Sequence, residues 1–253
     1  MIDWGKERIE MKEKRKGKVF LVGAGPGDPE LITVKGLKLI QQADAVIYDF
    51  LIDLHLLTFA RKDAELICVG KSPSHHTMKQ EEINRLLAAK AREHRIVVRL
   101  KNGDPFVFGR GAEEAASLAE ENIPFEVVSG VSSAIAVPAS AGVPLTHRDY
   151  ASSVAVITGH RRDDGEVTIV NADTLVFLMP VANLERIAER LLKEGKSPET
   201  PCALIEKGTL PGQKVLQGNL ATIFKDSKAR EIRPPAVFVV GEVVRLRNLI
   251  DRT

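Results

Sequence analysis

The feature that constrains the fold most is the regular alternation of short apolar runs with helical patterns in the first half of the chain. The apolar runs have strand length and read VFLVGAG, AVIYD, ELICVGK, IVVRLKN and FEVVSG. Between the third and fourth runs, Ile83, Leu87 and Ala91 follow helical spacing. Thr77 and Gln80 fit a capping box at the start of that helix. Strands that alternate with helices predict a parallel sheet covered on both faces.

The second half of the chain predicts a different sheet. SSAIAVPASAG is typical of a small-residue helix suited to close packing, and VANLERIAERLLKEG predicts a longer helix. Five apolar runs surround them: VAVITGH, TLVFLMP, CALIEKG, KVLQGN and AVFVVGEVV. The short gap at residues 209–213 favours a β-hairpin between CALIEKG and KVLQGN. We therefore expect a second α/β unit with a mixed sheet, and a boundary near Gly130 or near residues 147–150.

Composition excludes several classes of protein. The chain has 253 residues, 44% of them hydrophobic and 28% charged, which suits one large or two modest globular domains. A net charge of +2 gives no basic field for nucleic acid, so we expect none to bind. No apolar run approaches ~18 residues, so no membrane span is expected. Residues 1–17 form a charged tail without the apolar core of a secretory signal, which predicts a cytoplasmic protein.

Cys68 and Cys202 lie in apolar runs and are predicted to be reduced core residues.

A glycine-rich loop, GAGPGDP at residues 23–29, follows the first apolar run. A dinucleotide fingerprint needs glycines at G-x-G-x-x-G so that a helix N-terminus meets the pyrophosphate. Here Pro26 and Pro29 stiffen the loop, and Asp28 brings negative charge that repels a phosphate. The pattern favours a ligand without phosphate, bound to backbone groups. The alternative is a tight turn without a ligand.

A second loop-rich segment, VRLKNGDPFVFGRGAEE at residues 98–114, follows the fourth run. The segment contains several glycines and two phenylalanines, Phe106 and Phe108, that we expect to be exposed. This composition indicates a functional loop instead of a simple connection between two elements. Asp49 and Lys71 each end an apolar run, although either could simply cap a helix or lie on an exposed edge. Because ligands bind at the carboxyl ends of parallel strands, these segments predict one binding site. The histidines lack the spacing of a helical metal pair, so no metal is assigned.

Four segments together resemble the tetrapyrrole methyltransferase family, and within it the C-methyltransferases of uroporphyrinogen III. They are VGAGPGDPELITVKG, VRLKNGDPFVFGRGAEE, SSAIAVPASAGVPLTHRDYASSVAVITGH and TLVFLMP, in an order that runs from about Lys18 to Arg247. The resemblance implies that two α/β domains, residues 18–131 and 132–253, enclose the active site in the cleft between them. It also implies S-adenosylmethionine as methyl donor, two ring-carbon methylations that give precorrin-2, and a homodimer.

Site residues carry over by motif. The resemblance implies Asp49 and Lys71 as acid–base residues. Arginines suit the substrate's carboxylates, and the candidates are Arg110, Arg148 and Arg161. The implied cofactor contacts are Pro26, Asn102, Gly103, Asp104, Val107, Ser132, Ser133, Met179 and Gly208.

One departure from the family pattern concerns the second loop. The family usually has Gly-Gly-Asp where this chain has Asn102-Gly103-Asp104. Asparagine tolerates a left-handed backbone better than other side chains, so we expect the loop shape to persist and cofactor affinity to change.

Three other functions are alternatives to this one. A later precorrin methyltransferase shares the fold and cofactor but should match the two most specific motifs less well. An RNA or protein methyltransferase of the same fold would favour a basic face with aromatic platforms. A nicotinamide oxidoreductase would need the glycine spacing that is missing here.

Overall fold

The first half of the chain forms a parallel sheet. A computed structural model describes residues 17–70, 78–160 and 167–250. The elements of this half are β1 Lys18–Gly23, α1 Val34–Gln42, β2 Ala45–Tyr48, β3 Glu65–Cys68, α2 Gln80–Glu93, β4 Ile96–Lys101, α3 Gly111–Glu120 and β5 Phe125–Val128. The strand order is β3-β2-β4-β1-β5, and every neighbouring pair is parallel. The predicted parallel sheet is confirmed, and its strands all end at one edge.

Different layers bury the two faces of this sheet. Val19 and Leu21 of β1 pack with Leu87 of α2 on one face. Val22 of the same strand packs with Ile40 of α1 on the other. This alternation follows from the two-residue period of a strand, and the two-sided burial explains why the strands read as continuous apolar runs.

The second half forms a mixed sheet. Its elements are α4 Ser133–Ser140, β6 Val154–Thr158, β7 Thr174–Leu178, α5 Leu184–Lys193, β8 Pro201–Glu206, β9 Lys214–Asn219, α6 Ile223–Ala229, β10 Ala236–Val240 and α7 Arg247–Ile250. The order is β6-β7-β10-β8-β9, with β6 and β7 parallel and the other pairs antiparallel. The mixed sheet and the β8–β9 hairpin are both confirmed. The last apolar run, AVFVVGEVV, is strand only to Val240 and continues as a short 3-10 helix, Glu242–Leu246.

The connection between the halves is short. β5 ends at Val128 and α4 begins at Ser133, and α4 packs through Val137 against Val176 and Ile205 of the second sheet. The predicted division after residue 131 falls in this connection and stays a prediction. Residues 1–16 of the predicted tail lie outside the described residues. No helix within the described ranges has the length and apolar character needed to cross a membrane.

The start of α2 differs from the prediction. Thr77 lies outside the described residues, and the helix begins at Gln80. The carboxylate of Glu82 accepts a hydrogen bond from the backbone N–H of Lys79 at 2.6 Å. In a capping box the side chain three residues after the N-cap accepts from the N-cap N–H. Because Lys79 is the N-cap, Glu82 fills this position, which the sequence assigns to Gln80. The Gln80 amide instead donates to Glu114 at 3.3 Å.

The two cysteines lie in different environments. Cys202 is buried in β8, as predicted. The prediction is wrong for Cys68, which is exposed in β3. β3 is an edge strand of the first sheet, and its alternate residues Leu66 and Cys68 point away from the packed layers.

We expect a thiol reagent at pH 8 to modify Cys68 rapidly and Cys202 only after unfolding. Burial raises the pKa of the Cys202 thiol to about 12, and the thiolate is the reactive form. Counting modified thiols with and without denaturant tests this. Cys68→Ser should abolish the fast reaction, and equal reactivity of both thiols in the native protein would contradict the structure.

Candidate active site

A cavity of about 670 Å³ lies between the two sheets. Loops after β1, β2 and β4 supply lining residues from the first half, among them Pro26, Asp49 and Asp104. The start of α4 and the loops after β7 and β8 line it from the second half, through Ser132, Met179 and Gly208 among others. The carboxyl-terminal edge of the parallel sheet therefore faces the second sheet across one cavity.

Three glycine-containing loops meet backbone to backbone beside this cavity. Gly103 donates its N–H to the carbonyl of Gly25 at 2.7 Å, and Gly25 donates to the carbonyl of Gly103 at 3.3 Å. A Cβ placed on Gly23 would lie 2.5 Å from the Gly103 oxygen and 2.6 Å from the Gly130 Cα. No side chain fits where the loops cross, so glycine at these positions allows the close approach.

Asp104 fixes two of these loops relative to each other. Its Oδ1 accepts from the N–H of Phe106 at 2.8 Å, and its Oδ2 accepts from the N–H of Gly130 at 3.1 Å. Each carboxylate oxygen therefore holds a different loop. Charge-assisted bonds of this kind are stronger than bonds between neutral groups, so Asp104 sets the shape of the cavity wall.

The glycine-proline loop contacts the second half directly. The N–H of Asp28 donates to the Thr209 hydroxyl at 3.3 Å, and Gly27 packs beside Leu210. The Asp28 carboxylate accepts from the N–H of Glu30 at 2.9 Å and caps the short 3-10 helix Pro29–Leu31. Among the described residues that line the cavity, Pro26 is present and Asp28 is absent. The acidic charge thus lies beside the cavity instead of within it.

Strained backbone is concentrated around the cavity. Phe108, Arg110, Met179 and Lys207 line it, and each has a positive φ between 50° and 58°. A left-handed backbone costs a non-glycine residue of order 1 kcal/mol and persists where the surrounding structure imposes it, often at functional sites.

Asn102 does not follow the sequence-based expectation. Its φ is not positive, and the left-handed position belongs to Gly103, with φ +66°. The residue that needs the unusual backbone is the glycine, so Asn102 adds no left-handed strain, and its effect on loop shape and cofactor affinity stays a prediction. The reason given for expecting that shape, a left-handed asparagine, is wrong.

A buried charge cluster adjoins the cavity, and the sequence motifs do not predict it. Glu114 of α3 accepts hydrogen bonds through Oε1 from Lys101 Nζ at 2.8 Å and from Arg99 Nε at 3.1 Å. Arg99 Nη2 also donates to Asp49 Oδ1 at 2.5 Å. The available signal was two charged residues inside the buried strand VVRLK, since charges are rarely buried unless they are paired.

Electrostatics in this cluster follow from burial and pairing. Burial alone would lower the pKa of Arg99, but attraction by Asp49 and Glu114 outweighs it and raises the pKa above its ordinary value. Burial, together with repulsion by Arg99, lowers the pKa of Lys101 despite its contact with Glu114. Arg99 therefore remains a fixed cation beside the cavity.

The structure brings most of the predicted site residues together. Asp49 and Arg110 line the cavity, and Arg110 also pairs with Glu113 at 3.0 Å. Arg148 is exposed and is not among the lining residues, and Lys71 and Arg161 lie outside the described residues. The cavity is also lined by every residue predicted to bind the cofactor: Pro26, Asn102, Gly103, Asp104, Val107, Ser132, Ser133, Met179 and Gly208. Their individual roles stay predictions.

Away from the cavity, one group of side chains has the composition of a metal site. Glu65, Glu93 and His94 place possible ligand atoms within 4.8 Å of one another. The Lys90 ammonium already pairs with Glu65 at 2.8 Å and with Glu93 at 2.9 Å. A cation of the chain itself therefore compensates these carboxylates.

Comparison with known proteins agrees with this architecture. The model of the tetrapyrrole (corrin/porphyrin) methylase family matches residues 18–223. The chain belongs to this family. The resemblance drawn from the four sequence segments is thereby confirmed.

Individual members of the tetrapyrrole methylase family are similar over nearly the whole chain. A uroporphyrinogen-III C-methyltransferase of Methanocaldococcus jannaschii is 55% identical over 241 residues, which cover 93% of this chain and 98% of the relative. The crystal structure of a uroporphyrin-III C-methyl transferase from Thermus thermophilus, complexed with S-adenyl homocysteine, has a TM-score of 0.79 at 40% identity and covers 91% of this chain and 94% of its own. A cobalt precorrin-4 methyltransferase has a TM-score of 0.77 at 29% identity, with 90% and 95% covered.

Proposed function

We propose that this tetrapyrrole methylase transfers methyl groups from S-adenosylmethionine to two ring carbons of uroporphyrinogen III, giving precorrin-2. The observation that carries the proposal is the cavity itself. Its lining contains every described position that the family motifs assign to the cofactor, and the chain is 55% identical to a uroporphyrinogen-III C-methyltransferase along that relative's length.

The cavity offers close backbone and apolar side chains to the cofactor. Backbone of Gly103 and Gly208 and side chains such as Val107 and Met179 would hold it, with the Ser132 and Ser133 residues at the start of α4. A Cβ at Gly208 would collide with Val137, so close backbone approach is built into this wall as well. When bound, S-adenosylmethionine supplies an electrophilic methyl group on a sulfonium sulfur. The residues around it align the reactants and exclude water.

The substrate side needs cations and a proton acceptor. Uroporphyrinogen III carries eight carboxylates, and Arg110 and Lys207 present charged side chains at the cavity. Arg148 is exposed, so it would reach only a substrate that extends beyond the cavity lining. After a ring carbon gains a methyl group, the macrocycle must lose or shift a proton. We assign Asp49, whose carboxylate lines the cavity, to that step, with Lys71 as its proposed partner.

Methyl transfer to a defined substrate tests the proposal. Purified protein, methyl-labelled S-adenosylmethionine and uroporphyrinogen III should give a product with two labelled methyl groups per macrocycle. Cobalt precorrin-4 serves as the competing substrate, because a methyltransferase named for it has the same fold. Label in cobalt precorrin-4 but not in uroporphyrinogen III would reassign the enzyme to a later methylation.

We also propose a cytoplasmic homodimer. Both cysteines are free, which suits a reducing compartment. Phe50, Leu54 and Phe106 each expose more than half of their surface, which is apolar area that a second copy could cover. Sedimentation equilibrium at micromolar concentration is expected to give twice the mass of the chain, and a monomer would contradict the proposal.

A further inference from the structure

Arg99 occupies an unusual place for a charged residue. It lies in β4, the central strand of the first sheet, and only 2% of its surface is exposed. Its guanidinium reaches two carboxylates on different elements: Glu114 of α3 through Nε at 3.1 Å and Asp49 after β2 through Nη2 at 2.5 Å. One side chain thus connects the interior of the sheet to the cavity.

The two carboxylates differ in their access to the cavity. The Glu114 side chain is fully buried, whereas that of Asp49 is 32% exposed and lines the cavity. Within the described part of the chain, the Asp49 carboxylate is bonded only through Oδ1, to Arg99. The Asp49 side chain stays partly exposed at the cavity wall while Arg99 holds it through Oδ1. Arg99 is therefore anchored by the buried Glu114 carboxylate and holds the accessible Asp49 carboxylate.

Additional contacts fix the plane of the guanidinium. Nη1 faces the carbonyl oxygens of Leu100 at 3.3 Å and Ile47 at 3.4 Å. The planar fork of arginine can serve these acceptors and both carboxylates at once, whereas a lysine ammonium is a single point on a flexible stem. Stability alone does not explain the arrangement, because a buried ion pair is often no more stabilising than apolar residues of similar volume.

We propose that Arg99 is a positioning residue that fixes the Asp49 carboxylate so that one oxygen is directed to the substrate. The inference rests on the proposed function in that Asp49 is taken to act on the bound tetrapyrrole. Glu114 anchors the guanidinium through Nε. Lys101 donates to the same Glu114 oxygen at 2.8 Å.

A double-mutant cycle tests whether Arg99 acts through Asp49. Arg99→Lys keeps the positive charge but replaces the planar guanidinium with a single ammonium group. We expect it to slow single-turnover methyl transfer about 100-fold, the scale of a misplaced reacting group, while S-adenosylhomocysteine affinity changes little. In the Asp49→Asn background the same change should slow the reaction by less than about threefold, because coupled residues are not additive. Equal losses in both backgrounds would overturn the proposal.

Control variants separate positioning from loss of stability. Leu191→Ala creates a cavity in the core of the second half, at a residue of α5 that is not among the cavity lining, and should lower the melting temperature without slowing the folded enzyme. If Arg99→Lys does not fold, Glu114→Gln keeps the shape of the anchor and removes its charge. Its rate loss should likewise vanish in the Asp49→Asn background, and an undiminished loss there would contradict the role of Arg99.

A crystal structure of Arg99→Lys, or of Glu114→Gln if the first does not fold, gives a readout independent of turnover. The proposal expects the Asp49 carboxylate to rotate or lose its single orientation, and an unchanged Asp49 would overturn it. A wild-type protein that does not methylate uroporphyrinogen III would refute the proposed function, whereas additive losses in an active enzyme would refute only the role of Arg99.

Discussion

Asp49→Asn is expected to lower the single-turnover rate of methyl transfer by about 100-fold or more, the usual scale for a lost acid–base group. The substitution keeps the shape of the side chain and an acceptor for Arg99, but it removes the base. Folding and cofactor binding should therefore persist.

The structure weakens the alternative that Asp49 caps the next helix. That helix, the 3-10 segment Leu54–Phe59, is capped by Asp53, whose carboxylate accepts from the N–H of His55 at 2.8 Å. Asp53→Asn is thus a matched control that should change stability slightly and leave methyl transfer intact. Thermal melts and single-turnover rates on the same preparations separate the two effects. Wild-type turnover in Asp49→Asn would remove Asp49 from the mechanism.

Gly23→Ala should weaken S-adenosylhomocysteine binding by about fivefold or more, although Gly23 itself does not line the cavity. The new Cβ would lie 2.5 Å from the Gly103 oxygen and 2.6 Å from the Gly130 backbone, so one of the three loops must move. Overpacking of this kind costs about 1–3 kcal/mol, and every 1.4 kcal/mol lost from binding is tenfold in affinity.

The matched control for this substitution is Gly218→Ala in β9. Its Cβ would meet nothing closer than Thr222 Oγ1 at 3.5 Å, an ordinary contact. Titration calorimetry with S-adenosylhomocysteine should therefore show wild-type affinity for Gly218→Ala. Equal affinities for the two variants would mean that the contact between the loops does not shape the cofactor site.

The sequence predicted the parts of this structure that local patterns encode. Apolar runs of strand length, separated by helical spacing, predicted both sheets, because burial on one or two faces sets the period of a strand or a helix. The site could be located because polar and glycine-rich segments follow strands whose ends meet at one edge of a parallel sheet.

What the sequence could not supply depends on contacts between distant residues. The apolar run ELIC predicts a buried Cys68, because nothing in its own residues shows that β3 lies at the edge of the sheet. The sequence predicts a strand at Arg99 and no site, because only the fold brings Asp49 and Glu114 to its guanidinium. Residue propensity predicts the left-handed backbone at Asn102, whereas Gly103 adopts it.

We propose that both halves of the chain build one methyl-donor site, and a crystal structure with S-adenosylhomocysteine tests this most directly. We predict the ligand in the cavity between the sheets, in contact with Pro26 and Asp104 from the first half and with Met179 from the second. A ligand held by the loops of one half alone, without contact to the other sheet, would contradict a site shared by the two halves.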